Sequence, residues 1–259
     1  MNKKFNIALS MLPDDDIVRL EGRYPRLHTC PTCGDSGKYW FRGQSRNCDC
    51  LMQKQLHKHY LNSGIGVTYQ RLDFTDYEGD KELLSLLTKY FDNYERYASR
   101  GVGILFTGSF GTGKTMMANL ILKEFVKSGY RCFATTFAQT IDMLTASWKS
   151  PEDRRYFQRR FVDSEILLLD DVGRELRSKS NLAESTFDNI LRTRVQEGRP
   201  TFITTNMSPD ELGEGYGSAI LSLLKEHSIV CEMTGQDFRS HSNARTLQEI
   251  RDGETRPIY

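Results

Sequence analysis

The chain has 259 residues, with 35 Lys+Arg against 34 Asp+Glu for a formal net charge of +1, and it is 38% hydrophobic and 27% charged. That composition excludes a disordered chain, and the near-zero balance excludes a strongly basic grip on nucleic acid through the whole protein, while local basic patches stay open. No apolar run reaches the roughly 18 residues of a membrane span, and the length suits one large domain with or without a small module.

The N-terminus carries Lys3 and Lys4 and a short apolar run to Leu12. Asn6 and Ser10 interrupt the run, and Pro13, Asp14, Asp15 and Asp16 follow in place of a small-residue cleavage site, so it is a poor match to a signal peptide. The expectation is a cytoplasmic protein, whose thiols serve metal or core roles rather than disulfides.

Four of the six cysteines lie within 21 residues as Cys30-x2-Cys33-x14-Cys48-x-Cys50. Four soft thiolates in two close pairs suit tetrahedral Zn2+. Gly34, Gly37 and Gly43 let the intervening segment fold back, and Tyr39, Trp40 and Phe41 supply alternating bulk for a small hairpin. A module this small cannot build a core and needs the metal to fold. The second pair is C-x-C, not C-x2-C, which keeps three variants open: His28 as a substitute ligand, an iron–sulfur cluster, or unliganded thiols. Cys132 and Cys231 stand alone in apolar contexts and read as core residues. A mildly basic helix over Leu51–Ser63, with Lys54, His57, Lys58 and His59, follows the cysteines and stops before Gly64. Residues 1–62 are therefore expected to be a zinc-binding module.

From about residue 80, strands and helices alternate. Helix is predicted over 81–98, strand over 103–107, helix over 115–127, strand over 131–136, helix over 140–162, strand over 166–170, helix over 181–197, strand over 201–206, helix over 217–226 and strand over 228–232. Near-continuous apolar strands separated by helices indicate an α/β fold, a parallel sheet with helices on both faces.

Gly108, Ser109, Phe110, Gly111, Thr112, Gly113, Lys114 and Thr115 match G-x-x-x-x-G-K-[ST] between a strand and a helix. Glycines there let successive N–H groups turn around a phosphate, and the helix N-terminus, from Met116 onward, adds partial positive charge. Lys114 reaches the outer phosphates of ATP, and the Thr115 hydroxyl holds Mg2+. The strand 166–170 ends in Asp170 and Asp171, on the edge where parallel sheets bind ligands. Asp170 is expected on Mg2+, directly or through water, and Asp171 as the general base that polarises the attacking water. Asn206 ends the next strand; its amide either orients water near the γ-phosphate or forms the turn before Met207, Ser208 and Pro209.

Lys149, Arg154, Arg155, Arg159 and Arg160 fall within twelve residues, interleaved with Trp148, Tyr156 and Phe157. Such a stretch suits single-stranded nucleic acid. An amphipathic helix with its rings inward and its arginines solvated fits as well, and Glu152 and Asp153 weaken the patch.

With these motifs in place, residues 62–245 resemble AAA+ P-loop ATPases of the DnaC/IstB group, and within it the bacterial and phage helicase loaders of DnaC and DnaI type. Asn62, Ser63, Gly64 and Ile65 followed by Asp73 to Tyr77 resemble the loaders' entry into the ATPase domain, and Thr234 to Arg239 resembles their closing segment. The resemblance implies an AAA+ domain over 63–245 without a helical lid, a tail over 246–259, and an ATPase using ATP and Mg2+. It makes Asn206 a γ-phosphate sensor and residues 140–162 an insertion that contacts single-stranded DNA. It implies a zinc-bearing N-terminal module that binds a DnaB-type replicative helicase hexamer, with oligomerisation on that partner. One departure concerns hydrolysis. The family's trans-acting arginine has no counterpart in Gly217–Lys225, where only Lys225 is cationic, so hydrolysis should be slow without partners. Alternatives are an IstB-type transposition helper and a non-hydrolysing ATP-binding adaptor.

Overall fold

Alternation of apolar residues decides the layers of this molecule. The computed structural model describes residues 30–173, 181–235, 237–253, 256 and 258. His28, the substitute ligand, lies outside the described residues. The chain first makes an antiparallel hairpin, β1 (Lys38–Phe41) and β2 (Gln44–Asn47), closed by Arg42 and Gly43. Both turn residues have positive φ, 50° and 74°, as a two-residue hairpin turn that matches strand twist requires.

Helix α1 (Asp49–Asn62) follows, then the short α2 (Val67–Gln70) and a 3-10 turn over Phe74–Asp76. The helix predicted over 81–98 is two helices, α3 (Lys81–Asp92) and α4 (Tyr94–Ala98). Asn93 breaks it: its side chain donates to the Lys89 carbonyl at 2.8 Å, a local bond that competes with the helix ladder. Next come β3 (Gly103–Thr107), α5 (Lys114–Lys127) and β4 (Cys132–Thr136). The helix predicted over 140–162 is also divided, into α6 (Phe137–Ser147), α7 (Pro151–Phe157) and a π-turn over Gln158–Val162. Ser150 caps a new start by accepting from Asp153 N–H, with Pro151 at the first helical position.

The rest comprises β5 (Ile166–Val172), α8 (Asn181–Gln196), β6 (Thr201–Thr205), α9 (Pro209–Tyr216), α10 (Ser218–His227), β7 (Ser228–Glu232) and α11 (Arg239–Asp252). None of α2, α9 and α11 was predicted, and the expected start of a tail at 246 falls inside α11. The five strands β3 to β7 form one parallel sheet in the order β4-β5-β6-β3-β7.

Successive strand residues point to opposite faces. Ile104, Phe106, Ile166, Leu168 and Phe202 enter one core, with α1, α3 and α5. Leu105, Leu167, Leu169 and Ile203 enter the other, with α6, α8, α9 and α10. Cys132 and Cys231 are buried in the first core. Each fully buried Leu, Ile or Phe stabilises by about 1.5–3 kcal/mol, so the two-sided burial fixes the sheet firmly. The result is an AAA+ P-loop fold, and the site sits at the carboxyl edge of its sheet.

Helix α1 belongs to that core as much as to the hairpin: Leu56 and Tyr60 pack into the first cluster. Past α1 the backbone runs against the edge of β4, where Ala134 N–H donates to the Ser63 carbonyl at 2.8 Å. Gly64 has φ +73°, and a Cβ there would lie 2.0 Å from the Ala134 carbonyl oxygen, so only glycine fits. Lys123, fully buried in α5, then gathers the carbonyls of Tyr69, Gln70 and Leu72 at 2.5–3.1 Å.

Candidate nucleotide and metal sites

Three strand ends converge on one edge. The phosphate loop joins β3 to α5, Asp170 and Asp171 end β5, and Asn206 follows β6. Because β6 lies between β3 and β5, it delivers Thr204 between loop and acids. Gly108, Gly111 and Gly113 all have positive φ, 134°, 77° and 92°. At Gly108 a Cβ would lie 2.1 Å from the Met233 carbonyl oxygen, so the loop is seated against the end of β7. Gly113 opens α5, beside the rings and side chains of Tyr77 and Met233. Ser109 and Phe110 lie at the solvent side of the loop, with Phe110 exposed, while Thr112 is buried and donates to the Ser109 carbonyl. Met116 stands in the first turn of α5.

Lys114 is folded into its own loop and donates to the carbonyls of Gly108 at 2.8 Å and Ser109 at 2.6 Å. Burial pushes its ammonium below the ordinary lysine range, and Asp171 and Asp170 pull it back up. Thr115 Oγ1 donates to Asp170 Oδ1 at 2.8 Å, and Thr204 Oγ1 donates to the same oxygen at 2.5 Å. Burial raises the Asp170 carboxyl above its usual range, the two hydroxyls offset part of that, and Asp171 adds like charge. Two hard oxygen donors thus stand together at the loop, a set that fits Mg2+.

Asp171 sits at φ +57° where the β5–β6 register shifts between Leu169 and Val172. This bulge turns its carboxylate out of the strand alternation, toward Asn206, whose Nδ2 is 3.4 Å from Asp171 Oδ1. The Asp171 N–H donates to Thr204 Oγ1 at 2.9 Å. Thr204 was given no role by the sequence; its signal was a hydroxyl at the carboxyl end of a fully buried strand. A second is Asp237, whose carboxylate abuts Gly111, while Phe238 N–H donates to the Gly111 carbonyl at 3.0 Å. The segment after β7 therefore closes over the phosphate loop.

The second site is the cysteine module. The Sγ atoms of Cys30, Cys33, Cys48 and Cys50 all lie within 4.8 Å of one another. Zinc–sulfur bonds of about 2.3 Å need sulfurs about 3.8 Å apart in a tetrahedron, so the four fit one such ion. Hydrogen bonding with Cys33 pushes Cys50 up to about 12. Burial acts to raise Cys33 as well, but hydrogen bonds from Cys50 and the Gly37 N–H hold it down at about 6. A divalent cation is the group that would let all four ionise.

The basic stretch is only partly presented. Lys149, Arg154, Arg155 and Arg159 are exposed, as is Trp148 at 62%. Arg160 instead donates to the Asn62 carbonyl and side chain at 2.6 and 2.9 Å and lies over the Phe133 and Tyr156 rings. Phe157 stacks on buried Phe161 at 4.3 Å, so two of the three interleaved rings serve packing.

The model of the IstB-like ATP binding protein family matches residues 69–246. The chain belongs to this family. It is 27% identical to the replicative helicase loader DnaI of Bacillus subtilis (strain 168), over 74% of this chain, and it spans only 61% of that loader's length. It is 29% identical to the ATP-binding protein ascribed to insertion sequence IS5376 of Geobacillus stearothermophilus, over 70% of each chain. Among solved structures, the crystal structure of the DnaC helicase loader aligns with a TM-score of 0.59 at 22% identity, covering 65% of this chain and all of that one. That likeness bears on the fold alone. The IstB-family match leaves out the cysteine module, which begins 39 residues before its first residue, counting from Cys30 to residue 69. Among the described residues no helix is long and apolar enough to cross a membrane.

Proposed function

We propose that this chain is an ATP-dependent loader of a replicative, DnaB-type helicase onto single-stranded DNA. The observation that carries the reading is the union, through α1, of an IstB-family phosphate-loop site with a four-cysteine module. Similarity to DnaI supports it. Lys114 draws the outer phosphates once it exchanges its loop carbonyls for them, and Thr115 and Asp170 hold Mg2+. Asp171 polarises water, oriented with Asn206. Bound Mg2+ supplies charge neutralisation of the phosphates. Zn2+ on Cys30, Cys33, Cys48 and Cys50 holds the hairpin to α1 for contact with the helicase. Lys149, Arg154, Arg155 and Arg159 meet the DNA backbone, and Arg160 joins them only by releasing Asn62. ATP shifts the grip on helicase and DNA to the extent that its affinity differs between two states of the protein.

Co-purification with a replicative helicase hexamer tests this. A complex whose stability changes with nucleotide supports it, and no complex under any nucleotide condition sinks it. A second reading, an ATP-binding adaptor, is favoured by one observation: α10 offers Lys225 and His227 but no arginine. Single-turnover hydrolysis with and without DNA and helicase separates the two, since an adaptor stays slow in every mixture.

A further inference from the structure

The β1–β2 hairpin has chemistry that the nucleotide site does not use. A lone pair of strands has no second layer to cover it, and here Trp40 is 77% exposed and Phe41 44%. Residues 38–47 include Lys38, Arg42 and Arg46 and no acid. The flanking acids are engaged elsewhere: Asp35 lies 3.8 Å from Lys54, and Asp49 stands in the first turn of α1. Among the described residues no salt bridge joins Lys38, Arg42 or Arg46.

The register places Trp40 opposite Ser45 and Lys38 opposite Asn47 on one face. Tyr39 opposite Arg46 and Phe41 opposite Gln44 make the other. Each face thus combines a ring with a cation and small or amide side chains. The Arg42 and Arg46 guanidinium groups stand 5.2 and 5.0 Å from the Phe41 ring centre. Protein interfaces share the enrichment in arginine and rings but are depleted of charge at their core. Three cations and no acid on an exposed hairpin suit a single strand, with a π-face for a base and cations for phosphates.

We propose that this hairpin binds single-stranded nucleic acid, with a base stacking on Trp40, on the face it shares with Lys38, and phosphates held by Lys38, Arg42 and Arg46. The inference adds a strand contact on the cysteine module, and rests on the loader reading only in taking that strand to be DNA.

The test uses the full, zinc-loaded chain carrying Trp148→Phe, which leaves Trp40 as the sole tryptophan of the two. Titration with a single-stranded oligo-dT is expected to quench Trp40 fluorescence saturably. Trp40→Ala should weaken oligonucleotide binding about 5- to 150-fold, the range for loss of one base–ring stack. Arg42→Gln with Arg46→Gln should flatten the salt dependence by about one unit per cation lost. Zinc content of each variant, unchanged, shows that the module is still folded. Binding without quenching, or a Trp40→Ala chain that binds as tightly as its parent, overturns the inference. So does loss of helicase co-purification at unchanged oligonucleotide affinity, which makes the hairpin a protein-docking face. If Arg154→Gln with Arg155→Gln weakens strand binding and Trp40→Ala does not, the loader reading stands and this inference falls. Failure of the loader reading shows instead as no helicase complex with the wild-type chain.

Discussion

Asp170 is held where its charge is disfavoured. Its folded-state pKa is raised from 3.8, mainly by burial. The native state therefore keeps that proton to higher pH than the unfolded chain, and stability falls as pH rises from about 3.8 through the folded value. The whole penalty is present once the pH exceeds the folded value. Asp170→Asn keeps an acceptor for Thr115 and Thr204 without the charge. It should raise the melting temperature of the nucleotide-free protein at neutral pH, with the gain fading in acid, and lower Mg2+-dependent hydrolysis by about 100-fold or more. Thermal melts across pH and a hydrolysis assay check both halves. Arg194 is a purely structural counterpart. Fully buried at the end of α8, its guanidinium donates to the carbonyls of Phe161, Ser164 and Pro200 and to Thr201 Oγ1 at 2.8–3.1 Å. Burial pushes it down to about 9. Arg194→Met takes its donors from those carbonyls, of which Pro200 keeps the Leu167 N–H at 3.4 Å, at about 1–3 kcal/mol for each one left unpaired, so denaturant melts should show a loss of about 3 kcal/mol or more. Arg194→Lys should recover little, because an ammonium cannot reproduce the planar fork.

Between elements, the longest reach belongs to α11 and the residues that follow it. Its Arg245, and Arg256 beyond it, each come within 3.0 Å of Asp76 in the 3-10 turn. Gln53 of α1 then donates to the Ile258 carbonyl at 2.7 Å and accepts from its N–H at 2.5 Å. Ile258 is buried in the first core. The chain thus returns to the helix that carries the cysteine module. Burial acts to raise the Asp76 carboxyl, but the Arg256 hydrogen bond, the Asp73 N–H and the charges of Arg245 and Arg256 hold it below 3.8. A depressed carboxyl gives stability that is present above its unfolded pKa and is lost as pH falls through the folded value. Asp76→Asn should cost about 1.5–3 kcal/mol at neutral pH, and the two proteins should converge in acid; urea melts at several pH values decide it. Element by element, the strands were legible because runs such as Ile166–Leu169 are too apolar to be anything but central. Three helices were not, of which α2 is only four residues long. Helix α9 contains Gly213 and Gly215, poor helix formers; it stands because Ser208 and Glu211 make a capping box and Leu212 and Tyr216 are buried. Helix α11 is mostly polar and leaves Leu247 and Ile250 exposed, and its anchors, Asp76 and the phosphate loop, lie more than 100 residues away in sequence.

For the whole molecule the question is how far the cysteine module is independent. Its hairpin touches water on both faces, whereas α1 is held by Leu56, Tyr60 and the Gln53–Ile258 bonds. Removing the metal with a strong chelator should therefore unfold the segment before α1 and leave the cooperative transition of the parallel-sheet core in place. Limited proteolysis would show new cuts between residues 30 and 48. Collapse of the core transition on chelation would refute it, since the metal would then be supporting both halves.

The phosphate loop, the paired acids and the four cysteines could be read directly, because each is a chemistry of residue type at short spacing. Glycines must stand where backbone N–H groups turn around a phosphate, and thiolates must come in close pairs to surround one ion. Strand alternation likewise settled the class of the fold. What the chain could not show alone was which distant pieces meet. Only the sheet order put Thr204 on Asp170, only the bulge in β5 turned Asp171 toward Asn206, and only packing withdrew Arg160 and Phe157 from the basic face. Tertiary structure also made α1 part of the core beneath the parallel sheet. Local patterns fix what a residue can do, and long-range packing, which carries no short-range signature, decides which residues are left free to do it.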